Sequence, residues 1–297
     1  MPAELADFEE KSYEGPLYNQ LERGNQFLFT PGQVLESTVG FDRGLFVAQA
    51  ALWQTLGYKS PLRGAALAYY DWPSWGPPNP RAQLPRFRLN LFLQAKRPWY
   101  HERRPRNLKN VAGVAAPLWS FRIDEDQQRL LETLASTTQG KAHVSYASAA
   151  FHTNEALFSH TKARTIVQNS TFPSVDKLSG HEAWYYETPG AQGVANPNPE
   201  NIEQPSLLDR LRTLYGESRA LEGGDLTWLN TLSDEVIRSA GLAERSLAGV
   251  GAHFFDDLQT LGRIAEQNDL SPVMLAYAQI NLFTERFDLN WLVVADD

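Results

Sequence analysis

Residues 86–98, RFRLNLFLQAKRP, decide the reading of this chain. Leu89, Leu91 and Leu93 alternate with Asn90, Phe92 and Gln94, the period of two that marks a strand packed on at least one face. Gln94 and Lys96 stand two residues apart and project from the same side of that strand. An amide oxygen and an ammonium therefore arrive together at one surface. Pro98 has no N–H to give to a ladder and ends the strand.

Charge gathers around this strand. Between Arg86 and Lys109 stand eight basic residues, Arg86, Arg88, Lys96, Arg97, Arg103, Arg104, Arg106 and Lys109, against one acid, Glu102. The window is +7 and the rest of the chain −15, within a total of −8 that argues against passive coating of nucleic acid. The basic run has two readings, a solvated loop or a set of phosphate contacts beside the strand.

The 297 residues, 42% hydrophobic with eight Trp and fifteen Phe, describe a globular chain able to bury a large core. With no cysteine, disulfides and thiolate zinc sites are excluded. The acidic start MPAELADFEEK has no apolar core of a signal peptide, and no apolar run reaches the roughly 18 residues of a membrane span. A cytoplasmic protein that does not enter a membrane is expected.

Upstream of the strand, a helical or irregular lead-in over residues 12–30 precedes a helix start at Thr30-Pro31. That helix carries Glu36, and Asp42 follows Gly40-Phe41. A plausible strand from Gly64 ends at Asp71. The Pro-rich run from Pro73 to Pro85, flanked by Trp72 and containing Trp75, reads as a surface loop whose rings either stack on bases or pin the loop down.

Downstream, Pro117 to Ile123 alternates like a strand, and Asp124 or Asp126 opens a helix with Leu130, Leu131 and Leu134 on one face. Lys141 to Tyr146 reads as a strand, Asn154 to Phe158 as a helix and Thr165 to Gln168 as a strand. This alternation implies a layered α/β core with a partly parallel sheet. Gly190 to Gln204 reads as a polar linker. Beyond it Leu207, Leu208, Leu211 and Leu214, then Leu226, Leu229, Leu232 and Val236, keep helical spacing, and Ser271-Pro272 starts a further helix. His143, His152, His160 and His181 fall in separate elements without metal-ligand spacing; His181 is a phosphate contact, an acid near the site or a structural histidine. Neither a GxxxxGK[ST] loop nor a G-x-S-x-G elbow occurs.

The Gln94-Ala95-Lys96 strand resembles the core of the PD-(D/E)xK superfamily of restriction-endonuclease-like nucleases, in which a buried strand ends in (D/E)-x-K after an upstream acid. The form with Gln in place of the acid, followed here by Arg97, is similar to the methylation-dependent restriction and phage-defence branches. P-x-W-x-F-x-I from Pro117, Q-Q-x-x-L from Gln127 and V-x-Y-A-S from Val144 extend the likeness, which covers roughly residues 15–190.

The resemblance implies an α/β fold with a restriction-endonuclease-like core, a mixed sheet flanked by helices, over residues 1–200. A helical C-terminal region over 205–297 would serve packing, dimerisation or as a lid. Glu36, Asp42, Gln94 and Lys96 match the superfamily's helical Glu, strand-entering Asp and Gln-x-Lys one by one; Asp71 competes with Asp42, whose distance from Gln94 requires an insertion. The implied cofactor is Mg²⁺ or Mn²⁺ on Asp42, Glu36 and Gln94, with Lys96 placing the attacking water. Arg97, Arg103, Arg104, Arg106 and Lys109 would meet phosphates. The implied partner is nucleic acid, DNA before RNA; a homodimer would suit double-strand cleavage, and a defence-system partner would suit activation. The alternatives are an inactive nuclease fold that binds nucleic acid or a protein, and a structural protein in which the Gln-x-Lys strand is coincidence.

Overall fold

The computed structural model of the chain describes residues 3–24, 28–29, 87–108, 114–138, 140–187, 192–203, 206–217, 227–244, 250–267 and 272–295. In chain order the elements are β1 (Glu4–Leu5), α1 (Glu10–Gly24), β2 (Leu28–Phe29), β3 (Phe87–Lys96), β4 (Trp99–His101), β5 (Leu118–Arg122), α2 (Glu125–Thr137), β6 (Ala142–Ala149), α3 (Asn154–Ala163), β7 (Ser170–Thr171), β8 (Ala183–Tyr186), β9 (Gln192–Asn196), β10 (Glu200–Glu203), α4 (Leu207–Glu217), α5 (Thr227–Glu244), α6 (Val250–Gln267), α7 (Pro272–Arg286) and β11 (Asn290–Ala295). Short 3₁₀ turns lie between some of them. Among the described residues no helix is long and apolar enough to cross a membrane.

The decisive stretch becomes β3, which stops at Lys96, just ahead of Pro98. It lies at the centre of a five-stranded sheet ordered β2-β11-β3-β6-β7, antiparallel to β11 and parallel to β6. Parallel neighbours need a long crossover, and β4, β5 and α2 provide it. The partly parallel sheet expected from the alternation of elements is thus present.

Both faces of β3 are covered. Leu89, Leu91, Leu93 and Ala95 join Tyr13, Leu17 and Leu21 of α1, Leu157 of α3, and Leu207 and Leu211 of α4 in one core. Phe92 points into a second core with Leu130, Leu131 and Leu134 of α2, Leu229, Leu232 and Val236 of α5, and Ile280 and Phe283 of α7. Asn90, buried on the Phe92 side, is satisfied: Trp291 Nε1 donates to its Oδ1 at 3.0 Å, and its Nδ2 donates to the Lys141 carbonyl at 3.1 Å. The second sheet, ordered β1-β4-β5-β8-β9-β10 with every neighbour antiparallel, turns Trp119, Phe121, Trp184 and Tyr186 toward the second core. The molecule is therefore a mixed α/β structure of sheets flanked by helices, with a largely helical C-terminal region.

Three local expectations give way to tertiary structure. Residues 165–168, read as a strand, form none: Val167 and Gln168 lie in a 3₁₀ turn, Val167–Asn169. The Asn169 side chain donates back to the Thr165 carbonyl at 2.8 Å, and Gln20 of α1 binds the Val167 N–H, which closes the turn. The polar stretch 190–204, read as a linker, contains the β9–β10 hairpin; Asn198 takes the left-handed φ of 57° at its tip. Its polar residues face solvent while Val194, Ala195 and Ile202 are buried. Finally, the C-terminal region does not end in helices: β11 returns to the sheet between β2 and β3. NWLVVA alternates weakly because it, too, is covered on both faces.

Candidate active site at the end of the central strand

The end of β3 delivers Gln94 and Lys96 to one side, as their spacing requires, and α2 receives them. Gln127 Nε2 donates to Gln94 Oε1 at 2.7 Å, and the Lys96 ammonium donates to Gln127 Oε1. Gln127 is in place because the Asp124 carboxylate caps α2 by accepting the Gln127 backbone N–H at 2.9 Å. The parallel register sets Tyr146 beside Gln94, and the Lys96 ammonium lies 5.8 Å from the centre of the Tyr146 ring. Gln128, next to Gln127, accepts from the Tyr146 hydroxyl at 2.8 Å and donates to the Val175 carbonyl at 2.8 Å, tying α2 to β6.

Three carboxylates act on the Lys96 ammonium. Burial lowers its pKa from the ordinary lysine value, against the opposing pull of Glu10, Asp124 and Asp288. Glu10 stands at the start of α1 and its Oε1 accepts the Arg97 backbone N–H at 3.0 Å. Asp288 occupies a left-handed position, φ 54°, in the turn between α7 and β11. Asn290 pairs with Leu93, so Asp288 lies beside the end of β3; its Oδ2 accepts a long bond of 3.4 Å from Gln94 Nε2 and its Oδ1 a 2.5 Å bond from Lys11. Lys11 also binds Glu14, a carboxyl whose pKa is raised by burial. Opposite charges from α1, α2 and the α7–β11 turn thus converge on the strand end.

Of the residues singled out in the sequence, Gln94 and Lys96 are brought together. Glu36, Asp42, Asp71 and Lys109 lie outside the described residues. Arg97 turns its guanidinium to the N-terminal segment, donating to the Ala6 carbonyl at 2.9 Å and pairing with Glu9 at 2.7 Å. Arg103 and Arg106 are exposed and Arg104 is half-buried, all on the segment that leaves β4. His181 Nδ1 lies 2.8 Å from the Pro197 carbonyl, beside the β9–β10 turn. Among the described residues no group of three or more His, Asp or Glu side chains is gathered closely enough to hold an ion.

Gln127, Glu10 and Asp288 escaped the sequence reading as site residues. Gln127 had a signal, since it is the third residue of a helix capped by Asp124. Asp288 had one as well. It precedes an apolar run, Leu292 to Val294, as an acid entering a core strand does, but almost two hundred residues beyond Gln94. Nothing local announces that β11 pairs with β3.

Compared with known proteins, the chain matches no family model, no curated protein and no solved structure.

Proposed function

We propose that the chain is a metal-dependent nuclease whose reacting centre is the Gln94–Lys96 end of β3, within a restriction-endonuclease-like core. The observation that carries this reading is the delivery of Gln94 and Lys96 as a pair from the central strand of a mixed sheet, both held by Gln127, with the ammonium facing Glu10, Asp124 and Asp288.

The oxygen donors suit a hard divalent cation. Gln94 Oε1 uses one lone pair on Gln127 and keeps another, and the Asp288 carboxylate lies alongside. Mg²⁺ takes one or two carboxylates and fills its remaining positions with water and phosphate oxygen, so Gln94 and Asp288 would hold it here, with Glu36 and Asp42 as the further acids implied by the resemblance. Bound there, Mg²⁺ or Mn²⁺ would supply charge neutralisation and an acidified water. The protein's own contribution is positional and electrostatic. Lys96 presents an ammonium to the negative charge that grows on a phosphate, Gln127 holds that ammonium in line with Gln94, and burial makes its proton easier to release. Arg103 and Arg106, exposed on the segment after β4, would meet the backbone of a nucleic acid. DNA is the favoured substrate, in a role in restriction or phage defence.

The test is incubation of plasmid DNA, single-stranded DNA and total RNA with Mg²⁺ or Mn²⁺, wild type beside Lys96→Ala. Cutting by wild type that disappears in the variant, with unchanged thermal unfolding, is the expected result. A variant that cuts as fast as wild type removes Lys96 from the chemistry. Binding without cutting under either metal would leave a nucleic-acid-binding fold in place of an enzyme.

A further inference from the structure

The turn that leads into β11 and the first turns of α1 meet at one ammonium. Lys11 Nζ lies 2.5 Å from Asp288 Oδ1, 3.0 Å from Glu14 Oε2 and 3.2 Å from Glu14 Oε1. Helical spacing makes this convergence possible. Lys11, Glu14 and Tyr18 stand at i, i+3 and i+7 of α1, so they line one face, and that face meets Asp288 and Asn290. The other oxygen of Asp288 accepts from Gln94 Nε2, so a single carboxylate links the Lys11 ammonium to the end of β3.

The surroundings ask for more positive charge than Lys11 supplies. Glu14 is buried, and burial raises its carboxyl pKa against the pull of Lys11. The Asn290 amide lies beside both Glu14 and Tyr18, and the buried Tyr18 hydroxyl closes no hydrogen bond of ordinary length. Carboxylate, amide and hydroxyl oxygens are the donors a hard divalent cation takes. Across the strand end, four carboxylates, Glu10, Glu14, Asp124 and Asp288, bear on two ammonium groups, Lys11 and Lys96, while Arg97 is taken by Glu9. Four negative charges less two positive ones leave two, the charge of one divalent cation. Lys11 itself is loosely held: its side chain is 68% exposed, and an ion pair so open to water contributes little.

We propose that Lys11 is the counter-ion built into this site: its ammonium holds the place between Asp288 and Glu14 that a divalent cation takes, and metal entry turns it out into solvent. Glu14 then joins Asp288 and Gln94 around the metal. The inference rests on the nuclease reading for its purpose, and adds to that site a ligand, Glu14, and a competitor, Lys11. The ammonium keeps two carboxylates that face one point from repelling each other until the metal arrives, at the expense of metal affinity in the free protein.

The experiment is calorimetric titration of Mn²⁺ into the protein without nucleic acid, wild type beside Lys11→Met. Methionine keeps the helix propensity and much of the length of lysine without its charge. Tighter binding by the variant is expected, by about ten- to thirtyfold, the effect of removing one ammonium from about 4 Å off a doubly charged ion in water. Adding Glu14→Gln to Lys11→Met should cancel that gain. In the unaltered protein, Mn²⁺ should raise the rate at which an amine-directed acylating reagent labels Lys11, read by mass spectrometry. The proposal is overturned if Lys11→Met, with unchanged unfolding, binds Mn²⁺ no more tightly than wild type, if the double variant binds as tightly as Lys11→Met, or if saturating Mn²⁺ leaves the labelling of Lys11 unchanged. The two readings fail separately. Mn²⁺ that turns out Lys11 without any cutting keeps the counter-ion and sinks the nuclease, whereas cutting that needs Lys96 with Lys11 unmoved by metal does the reverse.

Discussion

Replacing Gln127 by leucine tests whether the Gln94–Gln127 contact is the joint between the central strand and α2. Leucine keeps the volume and the helix propensity of the site, and leaves the backbone N–H of residue 127 on the Asp124 cap. What it removes is the donor to Gln94 Oε1, on a side chain that is only 1% exposed. A buried acceptor deprived of its donor costs about 1–3 kcal/mol. At about 2–4 °C per kcal/mol for chains of 150–250 residues, the unfolding midpoint should fall by roughly 2–12 °C. Gln94→Leu alone should cost less, because half-buried Gln127 can turn its amide to solvent. The variant carrying both leucines brings two apolar side chains together and should be less destabilised than the singles added, by about 1–2 kcal/mol. Lys96 loses the same acceptor in Gln127→Leu and in the double variant, so its part cancels from the coupling. Urea unfolding at constant m-value measures all four proteins. Singles that add to the double within about 0.5 kcal/mol would refute the reasoning, since they would show that the two amides do not depend on each other.

The other expectations concern the frame around this joint. A chain ended at Asp288 lacks β11, whose Trp291, Leu292, Val293 and Val294 are all buried. At about 1.5–3 kcal/mol for each such side chain the loss rivals the roughly 5–15 kcal/mol that holds a domain folded, so circular dichroism should show no cooperative unfolding; a native-like melt would show β11 to be dispensable. Gly193→Ala would set its Cβ 2.2 Å from the ring of fully buried Trp184. A loss at or above the upper end of the roughly 1–3 kcal/mol of an overpacked core is expected, and an unchanged midpoint would deny the contact. His143 is buried, and burial first, then Arg210, lowers its pKa from 6.5 to about 3 against the pull of Asp176. The unfolded chain therefore binds this proton more tightly. Stability should be complete above pH 6.5 and fall by up to about 1.4 kcal/mol per unit as pH drops toward 3, and His143→Leu should remove that part of the acid loss; equal losses in urea at pH 7 and pH 4.5 for both proteins would contradict it.

Local signals sufficed wherever a segment carries its own hydrogen bonds or punctuation. The alternation from Leu89 to Lys96, the stop before Pro98, the cap at Asp124 and the helix beginning at Pro272 are all properties of a few neighbouring residues, and each appears where the sequence places it. The shared side of Gln94 and Lys96 follows from strand geometry alone, for the same reason. The turn at 167–169 and the hairpin at 192–203 were misread because their outcome is set by partners far away, Gln20 for the turn and the edge of β8 for the hairpin. A polar, proline-rich stretch pairs as a strand when a neighbouring edge offers it a ladder.

The candidate site divides along the same line. Its two residues on β3 are legible because adjacency in sequence is adjacency on the strand. Their surroundings are not: Glu10 lies 84 positions before Gln94 and Asp288 lies 194 after it, and no pattern in either segment names its partner. By itself the sequence determined that residues 89–96 form a packed strand, which side chains share its end and which helix follows it. Only the tertiary structure decided which carboxylates face Lys96 and that Gln127 joins it to Gln94. Those contacts come from sheet order, and sheet order is settled by the burial of both faces of β3 and β11 against helices from opposite ends of the chain.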